Sequence, residues 1–110
     1  MINETIKELE QKIKQSSSIS EQNQKELIAL LAELKSEIVE LAKTKKEAAE
    51  SIAGFTKLST HEATRLHKNP KLLELSLKGL TASVAGFEVS HPKLVQWVNS
   101  ICVMLAKMGI

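Results

Sequence analysis

Apolar residues recur along most of the chain at alternating steps of four and three, a spacing typical of helices that pack through a seam. The first run predicts a helix over about residues 2–15 and consists of Ile2, Ile6, Leu9 and Ile13. A polar break follows. Ser20 is the predicted N-cap of the next helix, because its hydroxyl can accept a hydrogen bond from an N–H group of the first turn.

The second run is the longest and predicts one helix over about residues 21–57. It comprises Leu27, Leu31, Leu34, Ile38, Leu41, Lys45, Ala48, Ile52 and Phe55. Such a helix would be roughly 55 Å long, from the α-helical rise per residue. Lys45 and Ala48 are weak seam positions, because a charge must reach solvent and alanine is small. Ser59 and Glu62 have capping-box spacing, which predicts a kink or a new helix start there.

Two shorter helices are predicted over about residues 70–87 and 92–108. Each begins with a proline, which is tolerated in the first turn of a helix. Asn69 is the predicted cap of the first and Ser90 that of the second. Because the loop between them is short, they should form an antiparallel hairpin. The sequence therefore predicts one all-α domain over residues 1–110, a coiled-coil-like helical bundle with a long second helix and a C-terminal helical hairpin.

Composition supports a helical protein and shows an uneven charge distribution. The chain has no Tyr or Asp and only two Phe, whereas sheet proteins are rich in aromatic and β-branched residues. Residues 1–50 carry 10 Glu and 8 Lys, a charge of −2, and residues 51–110 carry 3 Glu and 7 Lys or Arg, a charge of +4. With a single cysteine, a charged start and no long apolar stretch, a cytoplasmic protein is expected.

Residues that could carry chemistry are few. His61, Glu62 and His67 do not have the spacing of a metal-binding helix, which needs two histidines four residues apart. His91 is interpreted as structural, since the sequence shows no nucleophile or substrate pocket for it. Cys102 is interpreted in the same way, since no Lys, Arg or His lies nearby in the sequence to lower its pKa. A basic strip could be formed by the lysines at 43–46 with Lys57, Arg65, Lys68 and Lys71. It is interrupted by Glu40, Glu47 and Glu50 and has no interleaved aromatic residues, which disfavours nucleic acid. We therefore predict no catalytic, cofactor or metal site, and no enzyme activity.

The segment FEVSHPKL at residues 87–94 and the segment KMGI at 107–110, with a looser match over residues 20–34, carry a resemblance. They resemble the C-terminal signature of a small bacterial family, domain of unknown function 4404. The resemblance implies a short helical fold and a bacterial source. It implies no reaction.

The last helix is apolar over more than half of its circumference, which predicts packing on two sides. We expect a homo-oligomer, with a dimer as the first choice, and an unidentified protein as a further partner. A membrane surface is less favoured for this helix, since only two lysines stand beside three neutral residues on its polar face. The predicted oligomer or core seam is formed by Leu31, Leu34, Ile38, Leu41, Ile52, Phe55, Trp97, Val98, Ile101 and Leu105.

These features indicate a structural or protein–protein interaction module that self-associates. The alternative is a binding module that uses its basic second half to hold nucleic acid or an anionic membrane surface.

Overall fold

A computed structural model describes residues 2–17 and 19–109, except for the side chain of Asn3. Met1, Ser18 and Ile110 lie outside the described residues. Ile110 is the last residue of the KMGI segment, so the end of that segment is not described. The described chain contains five helices and no strand, so the all-α prediction is confirmed. The helices are α1 (Ile2–Gln15), α2 (Glu21–Ala42), α3 (Lys46–Thr64), α4 (Pro70–Ser83) and α5 (Pro92–Met108).

The prediction of one long helix over 21–57 is wrong, because the chain turns between α2 and α3. The N–H groups of Lys43 and Thr44 bond to carbonyls three residues earlier, which tightens the last turn of α2. The turn falls at Lys45, one of the two weak positions of the predicted seam. A rod of roughly 55 Å would exceed the 38 Å long dimension of the molecule. Turning at Lys45 instead lets α3 fold back and pack against α2.

Helix α3 is central, since it packs against each of the other four helices. Its buried face consists mostly of small or hydroxyl-bearing residues, which allow neighbouring helices to approach closely. These are Ala49, Ile52, Ala53, Thr56, Ser59, Thr60, Glu62 and Ala63. Thr56 and Thr60 donate to the carbonyls of Ile52 and Thr56, at 2.7 and 2.8 Å, so these hydroxyls are satisfied within α3.

The predicted kink at residues 59–62 is also wrong, because Ser59 and Glu62 are buried in the interior of a continuous α3. The Ser59 hydroxyl has no hydrogen-bond partner among the described residues. Helix α3 ends where Arg65 adopts extended backbone angles, and the Lys68 ammonium donates to the Ala63 carbonyl. The end of α3 is therefore fixed by a side chain from the following loop.

Helices α4 and α5 form the predicted antiparallel hairpin. Near the end of α4, Thr81 Oγ1 lies 3.7 Å from Sγ of Cys102 on α5. At the other end, the Leu73 side chain lies against the backbone of Gly109. Helix α4 ends at Ser83 rather than near residue 87, and Gly86 takes a positive φ of 96° in the turn that follows.

Two of the three predicted helix caps are confirmed. Ser20 Oγ accepts from the Asn23 N–H at 3.2 Å, and Asn69 Oδ1 accepts from the Leu72 N–H at 3.1 Å. The prediction for Ser90 is wrong, because the N-cap residue of α5 is His91 and no side chain caps the helix. Ser90 Oγ instead lies 2.9 Å from Nδ1 of the His91 ring.

The two serines provide a matched pair of substitutions. Ser20→Ala removes a side-chain cap and should lower the free energy of unfolding by about 1 kcal/mol. Ser90→Ala removes only an exposed contact and should change it by less than about 0.5 kcal/mol. Chemical denaturation followed by circular dichroism measures both. An equal loss in the two variants would contradict this assignment of the caps.

Candidate functional site

The predicted seam lies mainly inside a single chain. Eight of its ten residues are fully buried in the core, namely Leu31, Leu34, Ile38, Leu41, Ile52, Val98, Ile101 and Leu105. Phe55 is 36% exposed, and Trp97 is half-buried. The buried eight are not accessible to a partner, so a charge placed at Ile38 or Ile101 would unfold the chain rather than test an interface. Surfaces for partners must be sought outside the seam.

One such surface is a groove between α2 and α5. Its wider part has a volume of about 600 Å³ and is lined by Asn23, Glu26, Leu30, Asn99, Ser100, Val103, Met104, Lys107 and Met108. An adjoining part of about 340 Å³ is lined by Glu26, Ala29, Leu30, Glu33 and Trp97. Both parts share Glu26 and Leu30, so they form one groove. From Trp97 to Met108 the groove follows α5 for roughly 16 Å.

The two walls of the groove carry opposite charge. Helix α2 contains five Glu and two Lys, a formal charge of −3, and Glu26 and Glu33 lie in the groove wall. Helix α5 contains two Lys and no acidic residue, a charge of +2, and Lys107 lies in the wall. Between these walls Leu30, Val103, Met104 and Met108 are apolar, and Val103 is 56% exposed. The rest of the lining is neutral and polar, with Asn23, Asn99 and Ser100. Such a groove suits an amphipathic helix that carries both charge signs.

Exposed apolar residues also follow the hairpin formed by α3 and α4. Leu58 is 45% exposed, Leu72 is 42% exposed and Leu75 is 51% exposed. The Phe55 ring covers Gly79, since a Cβ atom there would lie 2.3 Å from a ring carbon. The seam pattern missed these leucines because they lie outside the core-facing line of their helices. How far these leucines are exposed can be predicted only once the neighbours of α3 are known.

The histidine and glutamate cluster near the end of α3 is an ion pair. Glu62 is buried, and Arg65 Nη1 lies 2.8 Å from its Oε1. His61 Nε2 lies 3.9 Å from the second carboxylate oxygen. Among the described residues, no group of three or more His, Cys or Glu side chains could hold a metal ion. The buried carboxylate of Glu62 is therefore held by arginine.

Cys102 lies half-buried on α5 beside Thr81. Burial raises the pKa of its thiol, and the hydrogen bond with Thr81 acts in the opposite direction. A raised pKa means less thiolate at neutral pH, and the thiolate is the reactive form. The local structure therefore favours a packing role for Cys102, as the sequence predicts.

Comparison with known protein families gives a match over residues 2–110 to the family described as a domain of unknown function, DUF4404. The chain belongs to the DUF4404 family. The match includes residues 43–80, so the turn between α2 and α3 and the whole of α3 lie within the family domain. No curated protein and no solved structure matches the chain. Family membership therefore assigns no activity, and the groove must be interpreted from its geometry.

No helix in the described part of this DUF4404 chain is long and apolar enough to cross a membrane.

The environment of Cys102 predicts slow labelling of the folded protein. A neutral thiol reagent should react more slowly with native protein than with protein unfolded in urea. The native rate should also rise only at higher pH, because the raised pKa delays thiolate formation. Thr81→Val removes the hydrogen bond that lowers this pKa and should slow the reaction further. Equal rates for native and unfolded protein would show an exposed, reactive thiol.

Proposed function

We propose that this DUF4404 protein is a protein–protein interaction module that self-associates as a dimer through the groove between α2 and α5. The observation that carries the proposal is a set of apolar residues in the groove, with Val103 exposed, between walls of opposite charge. In a monomer, the lining around Val103 is open to water. A second copy would bury it and pair the charged walls.

A two-fold axis parallel to the helices meets both requirements. It sets α2 of one chain against α5 of the other, and the same contact is repeated on the opposite side of the axis. The acidic wall with Glu26 and Glu33 then faces a wall with Lys107 in each half of the interface. An axis perpendicular to the helices would set α2 against α2, which brings like charges together. Charge therefore favours the parallel axis.

The side chains of the groove suit a contact of this kind. Met104 and Met108 are unbranched and can adapt their shape to an incoming side chain. Trp97 lies half-buried at one end of the groove, and tryptophan is frequent among residues that dominate interface energies. A helix of an unidentified protein could use the same features, which would make it an alternative occupant. The proposal involves binding and no catalysis, in a cytoplasmic protein with one free cysteine.

Sedimentation equilibrium at protein concentrations on the order of tens of micromolar tests the proposal directly. We expect a species of twice the 12.1 kDa chain mass. Val103→Glu should raise the dissociation constant of the dimer by at least about tenfold, because it places a charge in an apolar contact. Since Val103 is 56% exposed in one chain, the variant should retain its helical circular dichroism and cooperative unfolding.

Leu58→Glu is the matched control, because Leu58 is 45% exposed on α3, away from the groove. It should leave the dimer intact. Dissociation by Leu58→Glu but not by Val103→Glu would place the contact on the α3–α4 hairpin and refute the groove. A folded wild-type monomer at high micromolar concentration would refute self-association itself.

A further inference from the structure

The loop between α3 and α4, with the first turn of α4, exposes apolar and cationic side chains together. We refer to residues 65–72 as the α3–α4 tip. Leu66 is 84% exposed, and Leu72 is 42% exposed. An isolated exposed leucine is common on protein surfaces. Leu66 differs from such an isolated leucine because cationic residues lie beside it in the sequence.

The α3–α4 tip is basic. From residue 63 to residue 73 the chain carries Arg65, Lys68 and Lys71 and no acidic residue, a charge of +3. Glu62 accepts from Arg65, and Lys68 donates to the Ala63 carbonyl. The next acidic residue along the chain is Glu74, whose pKa is lowered by its hydrogen bond to Lys78, at 2.9 Å, and further by the charge of Lys71. Arg65 is therefore paired with Glu62, and the positive charge beside Leu66 comes mainly from the exposed Lys68 and Lys71.

The loop at the opposite end of the α4 helix shows what distinguishes this tip. Val89 there is 95% exposed, more than Leu66. Its neighbour Glu88 is acidic and accepts from the Gly86 N–H at 2.7 Å. No cation precedes Lys93 in that loop. Of the two loops that bound α4, only the α3–α4 tip combines an exposed aliphatic side chain with several cations.

We propose that the α3–α4 tip docks on an anionic membrane surface, with Leu66 inserted at the lipid interface and Lys68 and Lys71 beside the lipid phosphates. Interfacial binding depends on buried apolar area together with attraction between cations and anionic lipids. The tip provides both in eight residues. A nucleic-acid site would use the cations but gain little from an aliphatic leucine, and the tip has no aromatic ring for base stacking.

One tip provides a small contact, so a single chain should bind weakly and reversibly. With a two-fold axis parallel to the helices, both tips of a dimer lie at the same end and can contact one membrane, which would raise the apparent affinity. This second step depends on the proposed groove dimer. The first does not, because the tip belongs to a single chain.

Co-sedimentation with lipid vesicles tests the docking. The full chain should bind phosphatidylcholine vesicles that contain about one-third phosphatidylserine, and should not bind pure phosphatidylcholine. Lys71→Gln should reduce the partition coefficient about fivefold, the effect of one cation near an anionic surface. Leu66→Ser should reduce it by at least as much, roughly, because the apolar contribution is lost. Both residues are exposed, so helical circular dichroism should be unchanged.

The opposite loop offers a control for each variant. Val89→Ser removes an equally exposed apolar side chain, and Lys93→Gln removes a lysine that follows a proline at a helix start, as Lys71 does. Neither control should change the partition coefficient.

No binding to the anionic vesicles, or equal losses in variants and controls, would overturn the docking. Tight binding to an RNA or DNA oligonucleotide that survives Leu66→Ser, without vesicle binding, would identify the tip as a nucleic-acid surface instead. Val103→Glu separates the two proposals, since a monomer that still binds vesicles would support docking by the tip alone.

Discussion

Alanine, serine and threonine side chains along α3 allow four other helices to pack against it. The arrangement of the bundle depends on this contact. Large residues on the same face would hold the neighbouring helices apart. The hydroxyl groups of Thr56 and Thr60 can be buried because each donates to a carbonyl of α3 itself. The turn at Lys45 follows from the same constraint, since α3 can be surrounded only if it leaves the axis of α2.

Closure around α3 also decides which surfaces are left for partners. The strongest apolar seam of the sequence is used inside the chain, so an interface cannot consist of its leucines and isoleucines. What remains outside is apolar surface that lies next to charge. The groove between α2 and α5 combines methionines with oppositely charged walls, and the α3–α4 tip combines Leu66 with cations. These compositions suit different partners, and the two surfaces can be altered independently.

Local signals in the sequence predicted α1, α4 and α5 and two of the three caps, but they joined α2 and α3 into one helix. The break after α2 could not be predicted in this way, because residues 43–45 contain neither Gly nor Pro. The apolar pattern continued through Ala48, Ile52 and Phe55. The buried face of α3 instead contains Ala49, Ile52, Thr56, Ser59 and Ala63. These residues have helical spacing, but most of them are too small or too polar to stand out in a hydrophobic pattern. The packing of α3 against the other helices therefore decides which of its faces is buried.

The candidate surfaces were predicted only in part. Trp97 was identified because it lies outside the main line of α5, and it does line the groove. The acidic wall depends on which face of α2 meets α5, and that follows only from the fold. For the last helix, the rule used at Asn69, the residue directly before a proline, would have indicated His91 as the N-cap. Ser90 was predicted because its hydroxyl suits an N-cap, although His91 is the residue directly before the proline.

The fold-back of α3 on α2 can be measured as a distance. Double electron–electron resonance between spin labels at positions 22 and 61 measures the distance between the two helices. The labels are attached to cysteines that replace Gln22 and His61 in a Cys102→Ser background, and the labelled protein is diluted with unlabelled protein. Both positions are exposed, and Asn23 and Ala63 beside them line one small cavity. We expect a distance well below the 38 Å length of the molecule. A distance of about 58 Å, the length of 39 residues of continuous helix, would contradict the closed bundle and the surfaces inferred from it.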